Sequence, residues 1–167
     1  MKHAYTRLLA VLCTVLMLAG CGAPSTSPPV TDGFTCRVAM QYQDMAGEGD
    51  LTCTRDSGAS LTFTLPPSLQ GITLSCDSAG LAMELGGMHL TVPADAVPQG
   101  ALVRCLASVL ASTHPTGVLT EEGYVIRGEA EGVAYTLVCD PTTGLPLSLS
   151  VPTQNLEAVF TDVTATA

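Results

Sequence analysis

The chain predicts a mainly β (α+β) domain: a curved antiparallel sheet of about nine strands with one amphipathic helix across its concave face. Three observations carry this. From Gly33 onward apolar and polar residues alternate with period two, the mark of strands that have one buried and one wet face. Short Gly-, Pro- and Asp-containing breaks separate the runs, as turns require. A single stretch, Pro98 to Thr113, switches to three- and four-residue spacing. An apolar sheet face and one amphipathic helix bury each other only by packing together.

The strands follow in order. Phe34, Cys36, Val38, Met40 and Tyr42 share one face, with Thr35, Arg37 and Gln41 opposite. Gly47 and Gly49 read as a turn before the alternation of Leu51 and Cys53 with Thr52 and Thr54. Leu61, Phe63 and Leu65 alternate with Thr62 and Thr64 until Pro66-Pro67, which cannot donate to a ladder. Ile72, Leu74 and Cys76 form the fourth strand. Leu81, Met83 and Leu85 then run into Gly86-Gly87, read as a bulge after which Met88, Leu90 and Val92 continue inward.

Leu102, Cys105, Leu106, Val109 and Leu110 fall on one stripe of a helix about three turns long. Alternation returns at Tyr124 to Arg127, Val133 to Cys139, Leu147 to Val151 and Leu156 to Phe160. Asp140-Pro141-Thr142-Thr143-Gly144 is a turn, with Pro setting one backbone angle and Gly accepting a positive one.

This order of five strands, a helix and then hairpins, with PPSLQG after the third strand and the YTLVCDPTTGLPLSLSVP hairpin, resembles the half-barrel of the outer-membrane lipoprotein carrier and receptor (LolA/LolB-like) superfamily. The resemblance covers nearly all of residues 33–163. It implies a half-barrel whose concave face takes acyl chains. Fold alone does not assign function.

The N-terminus bears on location. Lys2 and Arg7 precede an eleven-residue run, Leu8 to Leu18, in which Thr14 is the only polar residue. That is shorter than the roughly 20 residues a membrane span needs and suits a signal peptide over residues 1–20. Leu18-Ala19-Gly20-Cys21 resembles the lipobox of bacterial lipoproteins, so Cys21 would carry a diacylglycerol, placing the protein as a lipoprotein on the extracytoplasmic face of a cell membrane. The competing reading is an ordinary secretory signal with Cys21 incidental. Gly22 to Asp32, rich in Pro, Ser and Thr, is a tether of up to roughly 30 Å. Residues 33–163 lack a second composition break and read as one domain, with 164–167 a C-terminal tail.

Without residues 1–20 the chain holds four Arg, no Lys and 15 acids, a formal charge of −11. Such a surface repels nucleic acid and anionic headgroups, so no nucleic-acid partner is expected and membrane attachment falls to the lipid anchor. The acidity reads either as a solvated exterior or as a docking face for a basic partner.

Beyond Cys21 five thiols remain, Cys36, Cys53, Cys76, Cys105 and Cys139, without a C-x-x-C pair, so zinc and dithiol-redox signatures are missing. All five fall on the inward face or helix stripe. They serve as small apolar core residues or include a disulfide, with Cys36 to Cys53 the first choice on adjacent strands; the odd number leaves at least one free. His89, on outward parity, and His114, in the loop after the helix, have no ligand or triad spacing, and Glu121-Glu122 reads as a solvated turn. No catalytic residue, metal or cofactor is therefore assigned, and no enzyme is expected. With no Trp, four Tyr and three Phe, the chain lacks the stacking platforms of glycan and single-strand binders.

What remains is the concave face itself: Phe34, Val38, Met40, Leu61, Phe63, Leu65, Ile72, Leu74, Met83, Leu85 and Leu90, facing Leu102, Leu106 and Leu110. These residues pack a dry core or line a site for a lipid acyl chain or another apolar ligand. The first function expected is a membrane-anchored, non-enzymatic binding protein. The alternative is a dry-cored scaffold that docks or regulates a cell-envelope protein, such as a cell-wall or spore-envelope enzyme.

Overall fold

The computed structural model describes residues 33–55, 58–111 and 116–166. Eleven strands run in it: β1 (Gly33–Tyr42), β2 (Met45–Thr54), β3 (Gly58–Leu65), β4 (Thr73–Asp77), β5 (Gly80–Leu85), β6 (Met88–Pro93), β7 (Val118–Thr120), β8 (Gly123–Ala130), β9 (Val133–Cys139), β10 (Pro146–Val151) and β11 (Leu156–Ala165). One α-helix, α1 (Leu102–Leu110), lies between β6 and β7. All strands join one antiparallel sheet in the order β6-β5-β4-β3-β2-β1-β11-β10-β9-β8-β7. The chain meanders outward from β1 to the β6 edge, crosses through α1 to the β7 edge, and meanders back until β11 pairs with β1. The sheet stays open, a half-barrel with α1 packed on β3 and β4.

Two strands exceed the nine expected. Gly86 and Gly87 do not form a bulge. They turn β5 into β6 as a two-residue hairpin, with φ of 55° and 86°, the paired positive angles of a type I′ turn. A two-residue turn keeps Leu85 and Met88 opposite each other on one face, so alternation alone cannot tell it from a bulge. The other addition is β7, three exposed residues without an alternating pattern.

Gly47 and Gly49 are likewise strand residues, since β2 begins at Met45 and the turn falls at Gln43-Asp44. A Cβ on Gly49 would lie 2.9 Å from Leu61 Cδ1, and one on Gly47 would lie 3.5 Å from the Phe63 ring. The nearest atoms are backbone carbonyls, Thr62 O at 2.6 Å from the first and Leu65 O at 3.3 Å from the second, so the glycines let the β3 backbone and its core side chains lie close. The turn at Asp140 forms as its sequence predicts: Oδ1 accepts N–H bonds from Thr142 and Thr143 at 2.8 Å each, which hold the carboxyl below its usual pKa. β11 continues through Ala165, past the expected domain edge at Val163, and Thr166 N–H donates to Gly33 O at 2.9 Å.

The core lies between the concave face and α1. Leu102, Val103, Cys105, Leu106 and Val109 are buried on the helix and share one core cluster with Val38, Leu51, Leu61, Leu149 and Leu156 of the sheet. Full burial of one such side chain contributes about 1.5–3 kcal/mol. At its N-terminal end the helix is tied down by side chains: Tyr42 Oη donates to Gly100 O, and Cys105 Sγ donates to Gln99 O at 3.3 Å.

Candidate functional site

Strand register arranges the concave face in ranks. One runs Cys36, Leu51, Leu61, Leu74, Met83, Leu90, each directly opposite the next across six strands. Exposure rises along it: Leu51 and Leu61 are buried, Leu74 and Met83 half-buried, and Leu90 is 55% exposed. The cause is the length of the cover. Nine helical residues span about 14 Å, whereas eleven strands spaced about 4.8 Å apart make a sheet about 50 Å wide. The helix lies on β3 and β4, while Leu85 at the end of β5 and Met88 and Leu90 of β6 stay exposed.

The residues expected to line the face therefore separate into three groups. Phe34, Val38, Met40, Leu61, Phe63, Leu102 and Leu106 are packed core. Ile72, Leu74, Met83 and Leu110 are half-buried on its flank. Leu65, Leu85 and Leu90 are exposed, together with Met88, which is 68% exposed and opposite Leu85. The flank and the exposed group form an apolar strip beside the helix.

A cleft of about 340 Å³ lies at the β4–β5 turn end of these strands. Its walls include Arg55 after β2, Asp77 and Ser78 at the β4–β5 turn, Arg104 and Ser108 on α1, and Glu131 at the β8–β9 turn. Arg104 is held in place from three sides: Nε donates to Glu131 Oε2 at 2.8 Å, and Nη1 donates to Ala94 O at 3.3 Å and to Val97 O. The Glu131 hydrogen bond raises the arginine's pKa further. Alternation carried no sign of these polar walls. One signal was available: Arg104 is the sole Lys or Arg between Arg55 and Arg127, set in a helix otherwise apolar or small. A second cleft, of about 360 Å³, lies over the β5–β6 turn beside the Glu84–His89 pair, Oε1 to Nδ1 3.2 Å.

All five described cysteines are buried free thiols. Of the two readings of these thiols, the structure has the small apolar core residues, and the alternative Cys36–Cys53 bridge is not formed. Cys36 stands opposite Leu51 and Cys53 opposite Phe34, a diagonal relation that separates Cα atoms by about 7–8 Å, beyond the span most disulfides accept. Burial pushes the Cys36 thiol up to about 12, with Cys53 and Asp50 adding to the effect, and pushes Cys53 and Cys139 up to about 11. At neutral pH these thiols are protonated and are not nucleophiles. Among the described residues no group of three or more His, Cys, Asp or Glu side chains is placed to hold a metal, and no helix is long and apolar enough to cross a membrane. Cys21, the signal, the tether and His114 lie outside the described residues.

The fold and the cleft define a class: an open half-barrel with a bare apolar flank and a charged recess at its end. No family model matches the chain, and no curated protein matches it. Among solved structures it is similar to an uncharacterized conserved protein from Thermus thermophilus, with 12% identity and a TM-score of 0.49 over 85% of this chain and 81% of that one. It is also similar to a LolA superfamily protein from Nitrosomonas europaea, with 8% identity and a TM-score of 0.44 over 86% and 90% of the two chains. These are likenesses of fold, and neither brings a ligand or an activity to this chain.

Proposed function

We propose that this protein is a lipid-anchored, extracytoplasmic binding protein that lays an acyl chain along the bare flank of its half-barrel. The observation that carries the reading is the exposure gradient along the Leu61–Leu74–Met83–Leu90 rank. It is continuous with the core at one end and open to solvent at the other. Exposed contiguous apolar surface is a cost a folded domain bears where a ligand or partner covers it. Met83, Met88 and the neighbouring leucines adapt to a flexible chain, since the thioether side chain fits varied shapes.

Leu90→Glu tests the reading without touching the core. A fluorescent fatty acid should bind the wild-type chain and bind the variant at least about tenfold more weakly, with far-UV circular dichroism unchanged. Equal binding by the two chains, or none by either, sinks the acyl-chain reading and leaves the envelope-protein scaffold. Anchoring is tested separately: Cys21→Ser should move the protein from the membrane fraction to the soluble one, and an unchanged distribution would refute the lipid anchor.

A further inference from the structure

We infer that the charged recess is a headgroup site for a zwitterionic lipid, one carrying a phosphate and an ammonium; this rests on the acyl-chain reading above. The recess and the strip lie on the same strands. Cys76 and Gly80, which line the recess, belong to β4 and β5, and Cys76 is opposite Leu81, which is opposite Val92. The Leu74–Met83–Leu90 rank lies two residues further along the same strands and on the same face, about 7 Å away at about 3.3 Å per residue. A lipid with its chain on that rank brings its headgroup to the recess.

The charges there select the headgroup. Two cations, Arg55 and Arg104, face two carboxylates, Asp77 and Glu131, in one cleft with the hydroxyls of Ser78 and Ser108. A phosphate suits the guanidinium side in addition to the partners these side chains already have, arginine being the residue fitted to bidentate contact with phosphate. Alone, however, an anionic headgroup would also meet both carboxylates and the chain's overall negative charge. An ammonium attached to the phosphate resolves that conflict. The site is also built rather than loose: Arg104 is fixed by Glu131 and by the Ala94 and Val97 carbonyls, and Asp77 is fixed through Oδ1 by the N–H groups of Ala79 and Gly80 at 2.7 and 3.2 Å. Its volume of about 340 Å³ is at the small end of ligand sites, as suits a headgroup whose chain lies elsewhere.

The test compares short-chain lipids of one chain length on the full chain by calorimetry: phosphatidylethanolamine, phosphatidylglycerol and diacylglycerol, with free phosphoethanolamine as a fourth ligand. Phosphatidylethanolamine should bind at least about tenfold tighter than each of the other three. Asp77→Asn, which keeps the Oδ1 acceptor of the turn, and Arg55→Gln should each cut that preference to less than about threefold. Equal affinity for the three lipids overturns the headgroup site and leaves the acyl strip standing. Free phosphoethanolamine binding as tightly as the lipid also overturns it, since the recess would then serve a soluble zwitterion. If no lipid binds, the acyl-chain reading falls with it.

Discussion

Cys36, Cys53 and Cys139 keep their thiols inside the half-barrel, and this couples the stability of the protein to alkaline pH. Desolvation raises their folded-state values from 9.0 to about 12, 11 and 11. Below pH 9 folded and unfolded chains both hold these protons, so the thiols make stability independent of pH there. Between pH 9 and 11 the unfolded chain releases protons that the folded chain retains, and stability falls by about 1.4 kcal/mol per pH unit for each such thiol. Denaturant unfolding from pH 7 to 11 should show this decline, and it should be shallower with all three replaced by Ala. A flat profile to pH 11 would contradict the burial of these side chains. At pH 8 the native protein should likewise react slowly with a thiol reagent, and the unfolded chain quickly.

The β5–β6 hairpin hangs on its two glycines. Gly86 and Gly87 hold positive φ with nothing within 4 Å of where a Cβ would be, so the requirement is one of backbone conformation and not of space. An L-residue costs about 1–2 kcal/mol at each such position. Replacing both with Ala should speed amide exchange through Leu85–Leu90 by at least about tenfold. Exchange in β1 and β2 should hardly change, because Leu85, Met88 and Leu90 are exposed and add little to the global fold. Uniform acceleration across all strands would show instead that the hairpin is integral to the core. A hairpin that opens alone also suits a flank that must admit a ligand. The charged recess borders the other end of these strands, at Gly80 and Ala94, and is held by the Arg104 contacts, so it should survive the loosening.

The assembly of the molecule depends on its last strand. β11 inserts at the centre of the sheet, between β1 and β10, and brings Leu156, Ala158 and Phe160 into the core. Ending the chain after Asn155 removes two large buried side chains, each contributing about 1.5–3 kcal/mol, and the ladders to both neighbours. Total stability of a domain is about 5–15 kcal/mol, so the truncated chain should be unfolded by circular dichroism and lack a cooperative transition. A folded truncation product would mean that β1–β6 with α1 is an independent unit. Closure of the β1–β11 ladder between Phe34 and Ala165 also makes folding slow, since nearly the whole chain must be looped before that pairing is rewarded.

Period-two alternation made β1, β3, β4, β5 and β9 legible, and the 102–110 stripe made the helix legible, because each records on which side of a local element water was excluded. The identity of the inward residues was therefore readable in advance. Their division into core and bare flank was not, nor was the recess joining Arg55, Asp77, Arg104 and Glu131 from four separate segments. Those depend on the pairing of β1 with β11 and on where a nine-residue helix comes to rest over eleven strands. Local pattern encodes which face of a strand is apolar; how much of that face is covered depends on contacts between residues far apart in the chain, which leave no periodic trace in it.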